Sequence, residues 1–194
     1  MSLKERVYSV LVVSATETFN SNLSSLLPNS TYHPILTVSS VSAAKRCLAE
    51  RSFDFIIVNS PLTDDTGINF AIDAVVSKET VVLLLIKNEL HDAVYDKVAE
   101  HGVFTLPKPT SKSTIVTALN WMASSRERLR KLEKKTSSIE KKMEDIRIVN
   151  RAKWLLISEL KMSESEAHKY IEKQAMDNCI SKRKIAEDII KTYS

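Results

Sequence analysis

The amino-acid sequence predicts an α/β fold: a five-stranded, doubly wound parallel sheet, followed by a long coiled-coil helix and a small three-helix C-terminal domain. Three observations carry this. The first 110 residues alternate short apolar strand-like runs with helix-like stretches, the pattern of strands buried on both faces by crossover helices. No Gly or Pro follows residue 110, so nothing forces a helix break through the rest of the chain. The charge divides too: residues 1–121 hold 10 Lys+Arg against 12 Asp+Glu, and residues 122–194 hold 18 against 12. The chain therefore divides into a sheet domain over 1–121, a coiled-coil linker over 122–146 and a three-helix unit over 147–194.

Residues 10–13 predict the first strand, and 16–27 an amphipathic helix with Phe19, Leu23, Leu26 and Leu27 at helical spacing. Residues 35–38 form the second strand, followed by a helix over 42–50 carrying Ala43, Ala44, Cys47 and Leu48. The third strand spans 53–58, with a helix over 68–76. The fourth spans 81–86, with a helix over 89–101, and the fifth spans 103–106, with helix from 111 onward. Right-handed crossovers connect such strands, and functional side chains gather at the strands' carboxyl ends.

From Ile115 onward, apolar or small residues recur at alternating intervals of three and four: Ile115/Ala118, Met122/Ser125, Leu129/Leu132, Thr136/Ile139 and Met143/Ile146. Dense charge of both signs lies between them. This a/d spacing predicts a homodimeric coiled coil with Leu129, Leu132, Thr136, Ile139, Met143 and Ile146 as its seam. The alternative is a solvated helix packed along its own sheet domain, and Ser125 and Thr136 are the weak points of the seam. The helix continues to 160 with an apolar face of Ile148, Val149, Ala152, Leu155, Leu156 and Leu160. Ser163-Glu164-Ser165-Glu166 reads as a capping box that starts a second helix. Ser181 caps a third, bearing Ile185, Ala186, Ile189 and Ile190.

Composition narrows the function classes. The longest apolar runs, 55–58 and 81–86, are too short to span a bilayer, and residues 1–13 lack the small-residue cleavage site of a secretory signal. A cytoplasmic protein with free thiols is expected, since Cys47 and Cys179 lie far apart. His33, His91, His101 and His168 show no ligand spacing, so no metal site and no cofactor are expected. With two glycines, no phosphate-cradling loop and no nucleophile–base pair, the chain is not expected to be an enzyme.

The front domain resembles the receiver domain of bacterial response regulators over about 120 residues, best in FDFIIVNSPLTDDTG (53–67) and HGVFTLPKP (101–109). The resemblance places Asn59 at the phosphoacceptor aspartate, with Gly67 eight residues on and Lys108-Pro109 in the fifth-strand motif. It places Ser14 and Ala15 at the acidic pair that binds Mg²⁺, and Ile86 at the hydroxyl residue ending the fourth strand. An amide is no nucleophile for acyl-phosphate formation, and Mg²⁺ wants carboxylate oxygens. The expectation is a pseudo-receiver, with Lys108 a hydrogen-bonding strut to Asn59 or to loop carbonyls. Glu17, Asp64 and Asp65 are expected to be solvated.

The tail, roughly 147–190, resembles the ANTAR domain, the RNA-binding output of antitermination regulators. The match rests on Ala152-Lys153-Trp154-Leu155-Leu156, on Ala167, Tyr170, Ile171, Ala175 and Met176, and on Ile185-Ala186 ten residues past the methionine. Trp154 stands where a small residue is usual, and Glu172 where Arg is frequent. The resemblance implies binding of RNA hairpins in leader transcripts, with Arg151, Lys153, Lys173, Gln174, Asn178, Lys182 and Arg183 as candidate contacts. Tyr170 is either core or a base-stacking residue. Trp154 either stacks or fills space. The leading expectation is a dimeric transcription antiterminator whose pseudo-receiver docks a regulatory protein or controls dimerisation. A DNA-binding response regulator and a protein-interaction adaptor are the alternatives. Against the former, the turns at 161–162 and 178–180 lack Gly, and the cations are not concentrated on one recognition helix.

Overall fold

The computed structural model of the chain describes residues 6–76 and 80–193. The first thirteen residues therefore enter the description only from Arg6 onward. Five strands, β1 (Tyr8–Val13), β2 (Tyr32–Val38), β3 (Phe55–Asn59), β4 (Val81–Lys87) and β5 (Phe104–Lys108), make one sheet in the order β2-β1-β3-β4-β5. Every pairing is parallel. Helices α1 (Glu17–Ser24), α2 (Val41–Glu50), α3 (Ile68–Val75) and α4 (Asn88–Val98) connect them, with a 3-10 turn at Ala99–His101. Helix α5 runs from Lys112 to Leu160, and α6 (Glu164–Asp177) and α7 (Lys182–Tyr193) follow. This is the expected fold class.

The alternation of strand side chains builds two cores. Val10, Val12, Phe55, Ile57, Leu83 and Leu85 face α1 and the start of α5, meeting Leu23, Ile115, Leu119 and Met122. Leu11, Val13, Ile56, Val58, Leu84 and Ile86 face α2, α3 and α4, meeting Ala44, Phe70, Ala71 and Val94. Together the two layers carry most of the apolar burial.

The chain divides into two compact units, Met1–Lys131 and Leu132–Ser194. The expected division at residue 122 falls ten residues later for a physical reason. Met122 is fully buried and Arg126 is 7% exposed, and Leu129 packs against the first core. Residues 122–131 of α5 belong to the sheet domain, with Leu129 partly buried against its core. The basic block Arg126, Arg128, Arg130 and Lys131 goes with it, which reduces the charge excess of the second unit.

In the second unit Ala152, Leu156, Ala167, Ile171, Ala175, Ile185, Ala186 and Ile189 form a small core. The capping box at α6 is complete: the Ser163 hydroxyl accepts from the Glu166 N–H, and Glu166 accepts from the Ser163 N–H at 2.8 Å. The Ser181 hydroxyl likewise accepts from the Lys184 N–H at 3.2 Å. The glycine-free turns after α5 and α6 put Lys161 (φ 56°) and Cys179 (φ 53°) in the left-handed region.

The carboxyl edge of the sheet and a candidate nucleic-acid interface

Ser14, Asn59 and Lys108 meet at the carboxyl ends of β1, β3 and β5. Asn59 (3% exposed) donates through Nδ2 to the Ser14 hydroxyl at 3.0 Å and accepts at Oδ1 from Lys108 Nζ at 2.8 Å. Lys108 also donates to the Ser60 carbonyl. Burial, together with the neighbouring Lys87 ammonium, pushes the Lys108 pKa down from its ordinary value. Lys108 is thus the expected strut.

Ile86 does not join this group. Its side chain lies in the core on the α3–α4 face, with Leu84 and Val58. Strand alternation instead gives Lys87 the parity of Asn59 and Lys108, and β4–β5 register sets Lys87 beside Lys108. Counting along the sequence missed this position by one residue. The run Val81–Ile86 is apolar without a break, so the sequence does not show which residue faces which side.

Ala15 is exposed at the same edge. The two nearby aspartates are exposed, as expected, and each also accepts backbone hydrogen bonds. Asp64 accepts from the N–H groups of Val41 and Ser42 at 2.8 and 3.0 Å, and those hydrogen bonds pull its pKa down. Asp65 accepts from the Gly67 N–H at 2.6 Å. Gly67 needs its left-handed φ of 80° to start α3, and a Cβ there would lie 2.8 Å from Val58 Cγ1. The Mg²⁺ of an ordinary receiver does not fit this edge. Ser14, Ala15 and Asn59 offer no carboxylate, and both polar atoms of the Asn59 amide are already engaged.

Charge gathers at the opposite edge, which sequence reasoning did not single out. Asp54, immediately before β3, accepts from Arg126 Nε at 2.8 Å and Arg130 Nη2 at 2.7 Å. It also accepts from the Ser9 N–H at 3.0 Å. Glu127 accepts from Arg130 at 2.8 Å and from the Tyr8 hydroxyl at 3.3 Å. Burial pushes the Asp54 pKa up, but Ser9, Arg126 and Arg130 outweigh it and hold the carboxyl below its ordinary range. The i,i+4 spacing of Arg126 and Arg130 was visible in sequence. Their partner 72 and 76 residues earlier was not.

In the second unit, the seven candidate contacts differ in their freedom. Arg151 and Lys173 are exposed and make no ion pair among the described residues. Lys153 pairs with Glu164 at 3.1 Å, Lys182 with Glu172, and Arg183 with Asp145 and Glu187 at 2.8 and 2.9 Å. Asn178 donates to the Gln174 carbonyl at 2.8 Å. Such surface pairs are weak, so a phosphate can replace the carboxylate. Leu132, Ile139, Met143 and Ile146 are about half exposed, and Thr136 is exposed. Tyr170 is at the surface (38%), not in the core, and Trp154 (71%) fills no interior space. Of the expected apolar face, Leu160 is exposed and Ile157 takes a place beside the core.

Comparison with known proteins agrees with this division. Residues 137–190 match the ANTAR domain. The chain is 26% identical over 140 residues to the transcriptional regulatory protein PdtaR of Mycobacterium tuberculosis, covering 72% of this chain and 68% of that one. Among solved structures, it is similar to the signal receiver domain of an HD domain-containing protein from Pseudomonas fluorescens Pf-5 (TM-score 0.56, 20% identity, 68% of this chain and 96% of that one). It is also similar to a response regulator receiver domain protein from Clostridium thermocellum (TM-score 0.54, 21% identity, 62% and 98%). A structure described as an adenylate cyclase from Rhodopirellula baltica shares the fold (TM-score 0.58, 23% identity, 69% and 98%). Among the described residues no helix is long and apolar enough to cross a membrane. The chain thus joins a receiver-like fold to an ANTAR domain at residues 137–190, with homology to a transcriptional regulator.

Proposed function

We propose that the chain is a cytoplasmic, non-enzymatic, RNA-binding regulator of transcription antitermination that is not switched by aspartyl phosphorylation. The observation that carries it is the ANTAR match at 137–190, on a unit whose cations are exposed or held only in surface ion pairs. Two heads on a dimer would hold a pair of hairpins in a leader transcript. The half-exposed Leu132, Ile139, Met143 and Ile146 support pairing of two α5 helices. The amide of Asn59, closed on both sides by Ser14 and Lys108, supports a front unit that docks a regulatory protein instead of accepting a phosphoryl group.

Two experiments test this. The full chain is titrated with hairpin RNA and with duplex DNA of matched length over a salt series. Tighter binding of the hairpin, sensitive to its loop bases, is expected. Equal binding of both sinks the RNA reading and leaves an adaptor. Intact-mass analysis after incubation with acetyl phosphate and Mg²⁺ is expected to show no adduct, and one phosphoryl group on the front unit would overturn the second half.

A further inference from the structure

We propose that Trp154 is the platform on which an unpaired base of the bound RNA stacks, a proposal that rests on the RNA reading above. The residue sits on the last turns of α5, where Ala152 (0% exposed) and Leu156 (1%) face inward and Trp154 turns its indole out, 71% exposed. It lines a cleft of about 290 Å³ with Asn150, Lys153, Ile157 and Glu164. Asn150 and Lys153 also line a second cleft, of about 380 Å³, whose wall includes His168, Lys182 and Arg183. One wall is therefore shared by an aromatic cleft and a largely apolar one in which Lys153, Lys182 and Arg183 stand beside Asp145, Ile146 and Val149.

That juxtaposition suits a single nucleotide unit. An indole face accepts any base by stacking. The Asn150 amide is exposed and makes no hydrogen bond among the described residues, so it has a donor and an acceptor for a base edge. Lys153, Lys182 and Arg183 stand on the side where the sugar–phosphate strand would run, and the carboxylates now paired with them are surface partners that a phosphate can displace. A second copy of the chain fits less well. Continued by sevens from Met143 and Ile146, the a/d seam reaches Asn150 and Lys153, a polar and a charged residue, and Trp154 lies off it.

The test uses the full chain with Trp121→Phe, so that Trp154 is the sole tryptophan, and a stem-loop RNA selected by that chain from a pool with randomised loops. Stem-loop binding is expected to quench the fluorescence, while the same stem closed as a blunt duplex does not. Trp154→Ala should weaken stem-loop binding about tenfold or more, with duplex binding unchanged, and Trp154→Phe should restore most of the loss. Thermal melting should be unchanged in both, because the side chain is at the surface. If stem-loop binding leaves the Trp154 fluorescence of the parent chain unquenched, or persists undiminished in Trp154→Ala, this proposal falls while the RNA reading stands. If no stem-loop outbinds the duplex in the parent chain, both fall. If Trp154→Ala lowers the sedimenting mass instead, a second copy covers the indole and the proposal is overturned.

Discussion

The two ends of strand β3 carry opposite arrangements. At its amino end Asp54 keeps a full carboxylate clasped by Arg126 and Arg130 of α5. At its carboxyl end Asn59 holds a neutral amide between a hydroxyl and an ammonium. Doubly wound sheets place their chemistry at the carboxyl end. Here that edge is closed by hydrogen bonds, and the charge works at the other edge, fastening a helix. The lesson is that a scaffold can keep its topology while its charged groups serve attachment instead of reaction.

The largest expected effect is at the amino end. Asp54→Asn should cost about 3 kcal/mol in urea unfolding, because it removes the carboxylate charge that faces the partly buried Arg126 and Arg130 guanidinium groups. A cost well under 1 kcal/mol would reduce the clasp to an ordinary surface pair and erase the contrast. The pH dependence sharpens the point. The folded pKa of Asp54 is depressed, so its contribution is fully present above the unfolded value of about 3.9 and is lost as pH falls through the folded one. The gap between wild type and Asp54→Asn should therefore be constant near neutrality and close only in acid.

At the carboxyl end Gly67→Ala is expected to cost about 1–3 kcal/mol, from the left-handed φ and the contact with Val58. Chemical denaturation measures it, and an unchanged midpoint would show that the loop before α3 adapts freely. Lys108→Met should cost about 1 kcal/mol, the worth of a strut that bridges neutral groups. If it costs as much as Asp54→Asn, the two ends are energetic equals. The smallest effect expected is none: Asn59→Asp alone should gain no phosphoryl group from acetyl phosphate with Mg²⁺. Ser14 and Ala15 still supply no carboxylate. A one-phosphoryl mass gain would show that the edge lacks only its nucleophile.

Much of the fold was legible. Each of the five strands overlaps an apolar run, most plainly β1, β3 and β4, which are buried on both faces. The expected boundaries erred where a tertiary partner decided them. β2 begins at Tyr32 and carries Pro34, which is tolerated because β2 is an edge strand with no neighbour on one side. The site was legible as residue types (Asn59 without its carboxylate, Lys108 as strut) but not as membership. Ile86 and Lys87 are adjacent in sequence and face opposite sides of the sheet, and only packing against α3 and α4 shows which way each points.

By itself the sequence determined the strand–helix rhythm, the missing carboxylates at Ser14, Ala15 and Asn59, the capping box at Ser163 and the unbroken helix past Lys112. These are local matters: side-chain chemistry, periodicity and the absence of Gly and Pro act on neighbours in the chain. Only the tertiary structure decided that α5 stays with the first unit as far as Lys131, that Leu129 packs against a core, and that Lys153, Lys182 and Arg183 spend their charge on nearby carboxylates. Each of these depends on a partner brought close by folding. Coulomb attraction and apolar contact act over a few ångströms of space, whatever the separation along the chain.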